Sequence, residues 1–165
     1  MFQRNLLLFS LVILTNITAF GQKDSLRSEV AFHFEINQTG YSVFPSYRIQ
    51  HKAWIADAGF TYNLSDGSLE NAVFGAEAAI YRLLIQNNEF RNGLGVAYRF
   101  TSSLEHVNSH QYLLTSTQIF QLSPNWAIDV GLGYGLAIDK VKGTPSTSSV
   151  YYLSQMIQLG CAYTL

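Results

Sequence analysis

The stretch WAIDVGLGYGLAID, from Trp126 to Asp139, alternates without a break between two kinds of residue. Its even-numbered positions are large and apolar, whereas its odd-numbered positions are glycine, alanine or aspartate. Successive side chains of a β-strand point to opposite faces, so this alternation separates the two kinds. The stretch therefore predicts a strand with one apolar face and one face that is small or polar.

Seven further stretches alternate in the same way and are separated by turn-like segments, which predicts about eight strands. The stretch near Gln111–Gln121 leaves its facing ambiguous. The apolar faces assigned in this way hold no charged residue. The opposite faces hold eight ionisable residues: His33, Glu35, Arg48, Asp57, Glu77, Arg91, Arg99 and Asp129.

The separation of apolar and ionisable residues onto opposite faces of the strands decides between two kinds of barrel. A soluble, lipocalin-like barrel would bury the apolar face and expose the row Gly131, Gly133 and Gly135 with few charges. A transmembrane barrel turns the apolar face to lipid and packs small and polar residues inside. Charged residues make up 13% of the chain, about half the usual ~25%. The sequence therefore predicts an all-β fold, an eight-stranded antiparallel up-and-down transmembrane β-barrel.

The connections support this prediction because they alternate in length. With the N-terminus in the periplasm, the periplasmic turns are short, and the external connections other than the first are longer, as in other such barrels. The predicted turns are His51-Lys52, Gln86 to Asn88, and Ser123 to Asn125. The predicted external connections are Gln38 to Gly40, Ser65 to Glu70, Ser102 to His110, and Lys140 to Ser148.

The N-terminal segment predicts export. Arg4 precedes an apolar run from Leu6 to Leu14, and small residues follow at Ala19 and Gly21. That run is far shorter than the ~20 residues of a spanning helix, so a cleavable signal peptide over 1–21 and a barrel domain over 22–165 are expected. The single cysteine, Cys161, excludes an internal disulfide.

The whole mature chain resembles the small eight-stranded outer-membrane barrels, the OmpA-like and OmpX-like group, and most nearly the short barrel proteins of the Bacteroidetes type. The resemblance rests on the strand pattern and on the junction Ala19-Phe20-Gly21-Gln22. Many members end in Phe or Trp, which assists recognition by the assembly machinery. This chain ends in Leu165, so Tyr163 would have to serve instead. The resemblance implies a location in the bacterial outer membrane.

Two segments are candidate sites of chemistry. The row Gly131, Gly133 and Gly135 lies within a strand, whereas phosphate loops lie between a strand and a helix, so relief of crowding is the better interpretation. Lipid A deacylases are also eight-stranded barrels and use a Ser nucleophile with a His base two residues earlier. Here His106 and Ser109 are three residues apart, and Ser109 and His110 are adjacent and would point apart.

The ionisable residues predicted inside are expected to form a closed, charge-paired plug, because an eight-stranded barrel has room for little more than its own side chains. Arg48 and Asp57 are predicted to lie diagonally across the His51-Lys52 turn. Glu77 is expected to reach Arg99 or Arg91.

Two rings of outward-facing aromatic residues are also predicted, ~25 Å apart. The periplasmic ring would comprise Trp54, Trp126 and Tyr163, and the external ring Tyr62, Phe74, Phe100 and Tyr151.

The sequence thus predicts a non-enzymatic barrel with a structural or loop-presenting role. A lipid A-modifying enzyme is the alternative, and a soluble lipocalin-like carrier is a third. No catalytic, cofactor-binding or metal-binding residue is predicted. The charge balance, nine basic and eleven acidic residues without Arg4, gives no reason to expect nucleic acid. Expected partners are outer-membrane lipid and lipopolysaccharide, the assembly machinery, and an unknown partner at the external connections Ser102–His110 and Lys140–Ser148.

Overall fold

The computed structural model describes residues 26–37, 40–63, 73–103, 107–141 and 149–165, so the predicted signal segment lies outside it. The described chain forms one closed antiparallel barrel in which every strand pairs with its sequence neighbours. The predicted eight-stranded up-and-down barrel is confirmed. Its strands are β1 Leu26–Asn37, β2 Gly40–His51, β3 Trp54–Asn63, β4 Val73–Gln86, β5 Phe90–Ser103, β6 Val107–Gln121, β7 Trp126–Val141 and β8 Ser149–Thr164.

The pairing of β1 with β8 closes the barrel. Nine residue pairs join these two strands, from Glu29 opposite Thr164 to Asn37 opposite Met156. Closure gives every strand two neighbours, so no row of backbone N–H and C=O groups is left at an open edge. The described residues include no helix long and apolar enough to cross a membrane.

The strand register sets the dimensions of the barrel. Trp54 on β3 is paired with His51 on β2. A row of directly paired residues that starts at Trp54 and is followed away from β2 around the barrel returns to β2 at Tyr41. Tyr41 and His51 are ten residues apart, and this difference is the register shift of the barrel. With about 3.3 Å per residue and about 4.8 Å between strands, this shift tilts the strands by about 40° and gives a backbone radius of about 8 Å. The interior is therefore just wide enough to be filled by side chains.

Burial alternates along the strands, as the sequence pattern predicted. The facing of β6, which the sequence left ambiguous, is settled: Leu113 and Thr115 are buried in the lumen, whereas Tyr112 and Leu114 are exposed outside. The alternation along β2 places Phe44 inside the barrel, at 1% exposure, a position that the sequence pattern did not predict.

The turns that the sequence predicts to be periplasmic are short, as expected. Lys52, at φ 52°, and Ala53 connect β2 to β3. In the turn between β4 and β5, the Asn87 side-chain oxygen accepts the backbone N–H groups of Glu89 and Phe90, at 3.0 and 2.7 Å. These local bonds fix the turn geometry without help from the rest of the fold.

The expected external connection Ser102–His110 is wrong in part, because β5 continues to Ser103 and β6 begins at Val107. The paired β-ladder between β5 and β6 extends the strands through polar residues that the sequence pattern assigned to a loop. The expected connection Ser65–Glu70 and most of Lys140–Ser148 lie outside the described residues.

The predicted aromatic residues face outward at both ends of the strands. Trp126 and Tyr163 contact each other in the periplasmic ring, and Tyr62 and Phe74 do so in the external ring, each with ring centroids 5.1 Å apart. Trp54 and Tyr62 are eight residues apart on β3, about 20 Å along the barrel axis at this tilt. Tyr151 also faces outward, but the tilt places it about 10 Å beyond the external ring, so it does not belong to that ring.

Candidate functional site: the charged lumen

All eight ionisable residues predicted to lie inside the barrel are buried in the lumen. A ninth, Glu29, is also buried there, at 1% exposure. Glu29 was not among the predicted lumen residues, because it precedes Val30, where the clear apolar alternation of β1 begins. Extending the same parity by one residue would have placed Glu29 inside. The buried charges form two separate ion-pair networks.

The lower network, near the periplasmic end, is centred on Arg48. Its guanidinium lies 2.9 Å from a carboxylate oxygen of Asp57, 2.9 Å from one of Asp129 and 3.5 Å from one of Glu29. Arg48 and Asp57 stand directly opposite each other on β2 and β3, so the predicted pair is confirmed but its diagonal placement is wrong. His33 Nε2 lies 3.1 Å from both oxygens of Asp129.

Glu29 connects this network to the mouth of the barrel. Its carboxylate lies 2.8 Å from Arg91 Nη2 and 2.6 Å from Arg27 Nε. Arg91 also donates to the side-chain oxygen of Gln50 at 2.5 Å. The sequence left open whether Glu77 pairs with Arg91 or with Arg99. Arg91 pairs with Glu29 and does not reach Glu77. Three guanidinium groups balance three carboxylates in this network.

The upper network, toward the external end, is centred on Arg99. Glu77 stands directly opposite Arg99 on the neighbouring strand and forms an ion pair with it, as predicted. Glu35 reaches the same guanidinium from across the lumen, at 2.6 Å, and accepts a hydrogen bond from Gln158 at 3.4 Å. This network therefore holds two carboxylates and a single guanidinium.

Apolar side chains fill much of the remaining lumen. The sequence pattern predicted only small or polar side chains there. Phe44 stacks on the imidazole of His33, with ring centroids 5.5 Å apart. A buried cluster lines the walls from β3 to β8, with Ile55, Tyr81, Leu83, Leu113, Ile119 and Met156 as its large members. Water is thereby excluded from much of the cross-section, which strengthens the ion pairs beside it.

Glycines make room for the lumen side chains. A Cβ added at Gly160 would lie 2.5 Å from Asp129 Oδ1 and 2.9 Å from His33 Nε2, so this glycine accommodates the histidine–aspartate pair. A Cβ added at Gly133 would lie 3.1 Å from the terminal methyl of Met156. These contacts support the interpretation that the inward-facing glycines relieve crowding.

Of the residues considered for deacylase chemistry, the two that the structure describes do not form a nucleophile–base pair. Ser109 and His110 both belong to β6, where Ser109 is buried on the lumen side and His110 faces outward against Tyr98, whose hydroxyl lies 2.8 Å from its Nδ1. His106 lies outside the described residues. Within the described ranges, no three His, Cys, Asp or Glu side chains come together as a metal site would require.

The outer surface of the barrel is the reverse of its lumen. Large apolar side chains face outward on all eight strands, and many are about half exposed, such as Val96 at 56% and Leu132 at 52%. An apolar surface of this extent needs an apolar environment, since soluble monomers rarely expose large apolar patches. Together with the two aromatic rings, it forms the band that a transmembrane barrel presents to lipid.

Solved structures of membrane barrels share this architecture. A de novo designed transmembrane β-barrel superposes with a TM-score of 0.60 at 14% identity, covering 87% of this chain and 98% of the design. Neisserial surface protein A superposes with a TM-score of 0.52 at 11% identity, covering 84% and 94%. A major outer membrane protein from Thermus thermophilus does so with a TM-score of 0.50 at 14% identity, covering 86% and 100%.

No protein-family model matches the chain, and no curated protein sequence matches it. The resemblance to the OmpA-like and Bacteroidetes-type groups therefore remains a prediction. The fold is that of a transmembrane barrel, and the apolar exterior agrees with the predicted location in the bacterial outer membrane.

Proposed function

We propose that the protein is a non-enzymatic outer-membrane barrel with a closed lumen, whose role is structural or consists in presenting its external connections to a partner. The observation that carries this proposal is the pairing of the lumen charges. Each of Arg48, Arg91 and Arg99 contacts at least one buried carboxylate, and apolar side chains occupy the space beside them.

This packing argues against a diffusion channel. A buried charge without a partner is costly, so the paired network is expected to hold its side chains in place across the ~16 Å backbone diameter. An open water channel needs a wider barrel. A structural or presenting role requires only that the lumen stay packed and closed.

Planar bilayer recordings test the closed lumen. The purified wild-type protein should show no steady conductance, while an open porin in the same bilayers serves as the positive control. A large and stable single-channel current from the wild-type protein would contradict the proposal.

Lipid analysis tests the absence of enzymatic activity. The acyl-chain composition of lipid A should be the same in cells with and without the protein. A protein-dependent loss or gain of acyl chains would favour the lipid-modifying alternative instead.

A further inference from the structure

The outer face of β4, β5 and β6 carries an apolar hollow of about 560 Å³. Two rows of directly paired residues surround it, and the short side chain of Ala78 leaves it open on the β4 side. Its outward-facing lining comprises Ala78, Ile80, Val96, Tyr98, Tyr112 and Leu114. The hollow lies between the two aromatic rings, at the depth of the lipid chains.

A group of polar side chains lies immediately below the hollow, on the periplasmic side. Arg82 and Ser116 flank Leu94 in one row, and Asn92 and Gln118 stand opposite each other in the next. All four polar residues have the outward parity of their strands. Polar groups are unfavourable against lipid chains. The polar group beneath the hollow therefore suits a ligand that offers it hydrogen-bonding partners.

Arg82 gives this polar group its charge. It is exposed beside Trp54, its direct neighbour on β3, and no described carboxylate forms an ion pair with it. Over the described strands, no other Asp, Glu, Lys or Arg faces outward between the levels of Trp54 and Tyr62. An unpaired guanidinium at a membrane interface is suited to a phosphate group, which it can bind through two parallel hydrogen bonds.

We propose that the hollow and the polar group together bind one glycerophospholipid of the periplasmic leaflet. The phosphate lies on Arg82, the glycerol and ester groups face Asn92, Ser116 and Gln118, and one acyl chain occupies the hollow above Ala78. This inference rests on the proposed outer-membrane barrel and on its predicted orientation, with the N-terminus in the periplasm.

The distances suit such a lipid. Arg82 and Ala78 are four residues apart on β4, which is about 10 Å along the barrel axis at this tilt and lies within the ~15 Å depth of one leaflet. The position of Arg82, at the level of the periplasmic ring, selects the periplasmic leaflet. Lipopolysaccharide would present its phosphates at the opposite end of the barrel.

Native mass spectrometry of the detergent-solubilised full chain tests this site, with phosphatidylglycerol as the probe. The wild type should retain one phosphatidylglycerol. Arg82→Gln should weaken its retention about tenfold, the size expected for losing a charge-assisted contact to phosphate. Ala78→Phe should weaken it similarly by filling the hollow, and both variants should fold because their side chains face outward.

Two matched controls use residues away from the site. Cys161→Phe adds the same bulk to the outer face of β8, on the other side of the barrel, where Cys161 is exposed. Lys52→Asn removes a positive charge from a periplasmic turn, and asparagine tolerates the positive φ of that position. Both should retain phosphatidylglycerol as the wild type does.

Three outcomes would overturn the proposal. Equal retention in all five proteins would mean that no specific site exists. Binding of purified lipid A that depends on Ala78 but not on Arg82 would assign the hollow to an outer-leaflet lipid. A dimer that Ala78→Phe dissociates would assign it to a second copy of the chain. The bilayer recordings test the closed lumen separately, so an open pore would leave this proposal standing.

Discussion

Replacing Arg48 with methionine should destabilise the barrel more than replacing its acidic partner Asp57 with asparagine. Among the ion pairs in the described chain, Arg48 is the only cation that contacts Asp57, and it shares Asp129 with His33. Its removal leaves Asp57 buried without a cation and Asp129 with the imidazole alone. Breaking a buried pair by removing one partner costs about 3–5 kcal/mol, so Arg48→Met should lose about that much.

Asp57→Asn should cost less, about 1–2 kcal/mol. The guanidinium of Arg48 keeps Asp129 and Glu29, and the amide oxygen of asparagine can still accept a hydrogen bond from it. The double variant removes the orphaned carboxylate together with its cation. It should therefore be more stable than Arg48→Met and less stable than Asp57→Asn, since Asp129 still loses a partner.

Urea unfolding in detergent measures this order, with tryptophan fluorescence and electrophoretic migration of unheated samples as two probes of the folded state. The reasoning would be refuted if Asp57→Asn were as costly as Arg48→Met, or if the double variant lost the sum of the two single changes. The first result would mean that the contacts of Arg48 with Asp129 and Glu29 do not compensate for the loss of Asp57, and the second that Arg48 and Asp57 act independently.

Three further outcomes follow from the same structure and are measured by urea unfolding, in liposomes for the first variant and in detergent for the others. Val96→Arg places a charge on the lipid-facing surface near mid-depth and should cost ~2–4 kcal/mol in liposomes, so full stability would argue against lipid contact. Gly160→Ala should cost about 1–3 kcal/mol by displacing the histidine–aspartate pair, whereas Gly133→Ala, whose nearest contact is the terminal methyl of the flexible Met156, should stay within about 1 kcal/mol. Equal costs would show that crowding is not the cause. Glu35→Gln leaves Arg99 with a single carboxylate, so stability should be unchanged or raised by up to about 1 kcal/mol, and a loss above about 2 kcal/mol would contradict the charge count of the upper network.

The faces of the barrel could be predicted from the sequence because strand geometry is local. A period of two needs no knowledge of neighbouring strands, so the inward placement of residues such as Asp129 and the outward placement of Trp54 were both accessible. Phe44 could have been placed by the same parity. It was not assigned because a large aromatic residue between two inward-facing serines disagrees with the expectation of a small or polar lumen.

Pairing across the lumen could not be predicted in the same way. Arg48 and Asp57 lie on consecutive strands beside a two-residue turn, so their contact could be counted from the sequence. Glu29 and Arg91 lie on β1 and β5, on opposite walls, and their contact depends on the ten-residue register shift summed around the whole barrel. To calculate this shift, the register of every pair of neighbouring strands has to be known. A local sequence pattern does not contain that information.

The position of the first strand has a consequence for assembly. β1 supplies Glu29, His33 and Glu35, and these residues contact cations or acids on β2, β5 and β7. A sheet whose first and last strands have not yet met would leave Arg91 and Arg99 without their cross-lumen carboxylates. Barrel closure and the neutralisation of Arg91 are therefore one event, and a chain lacking its first strand should stall as an open sheet instead of closing as a smaller seven-stranded barrel.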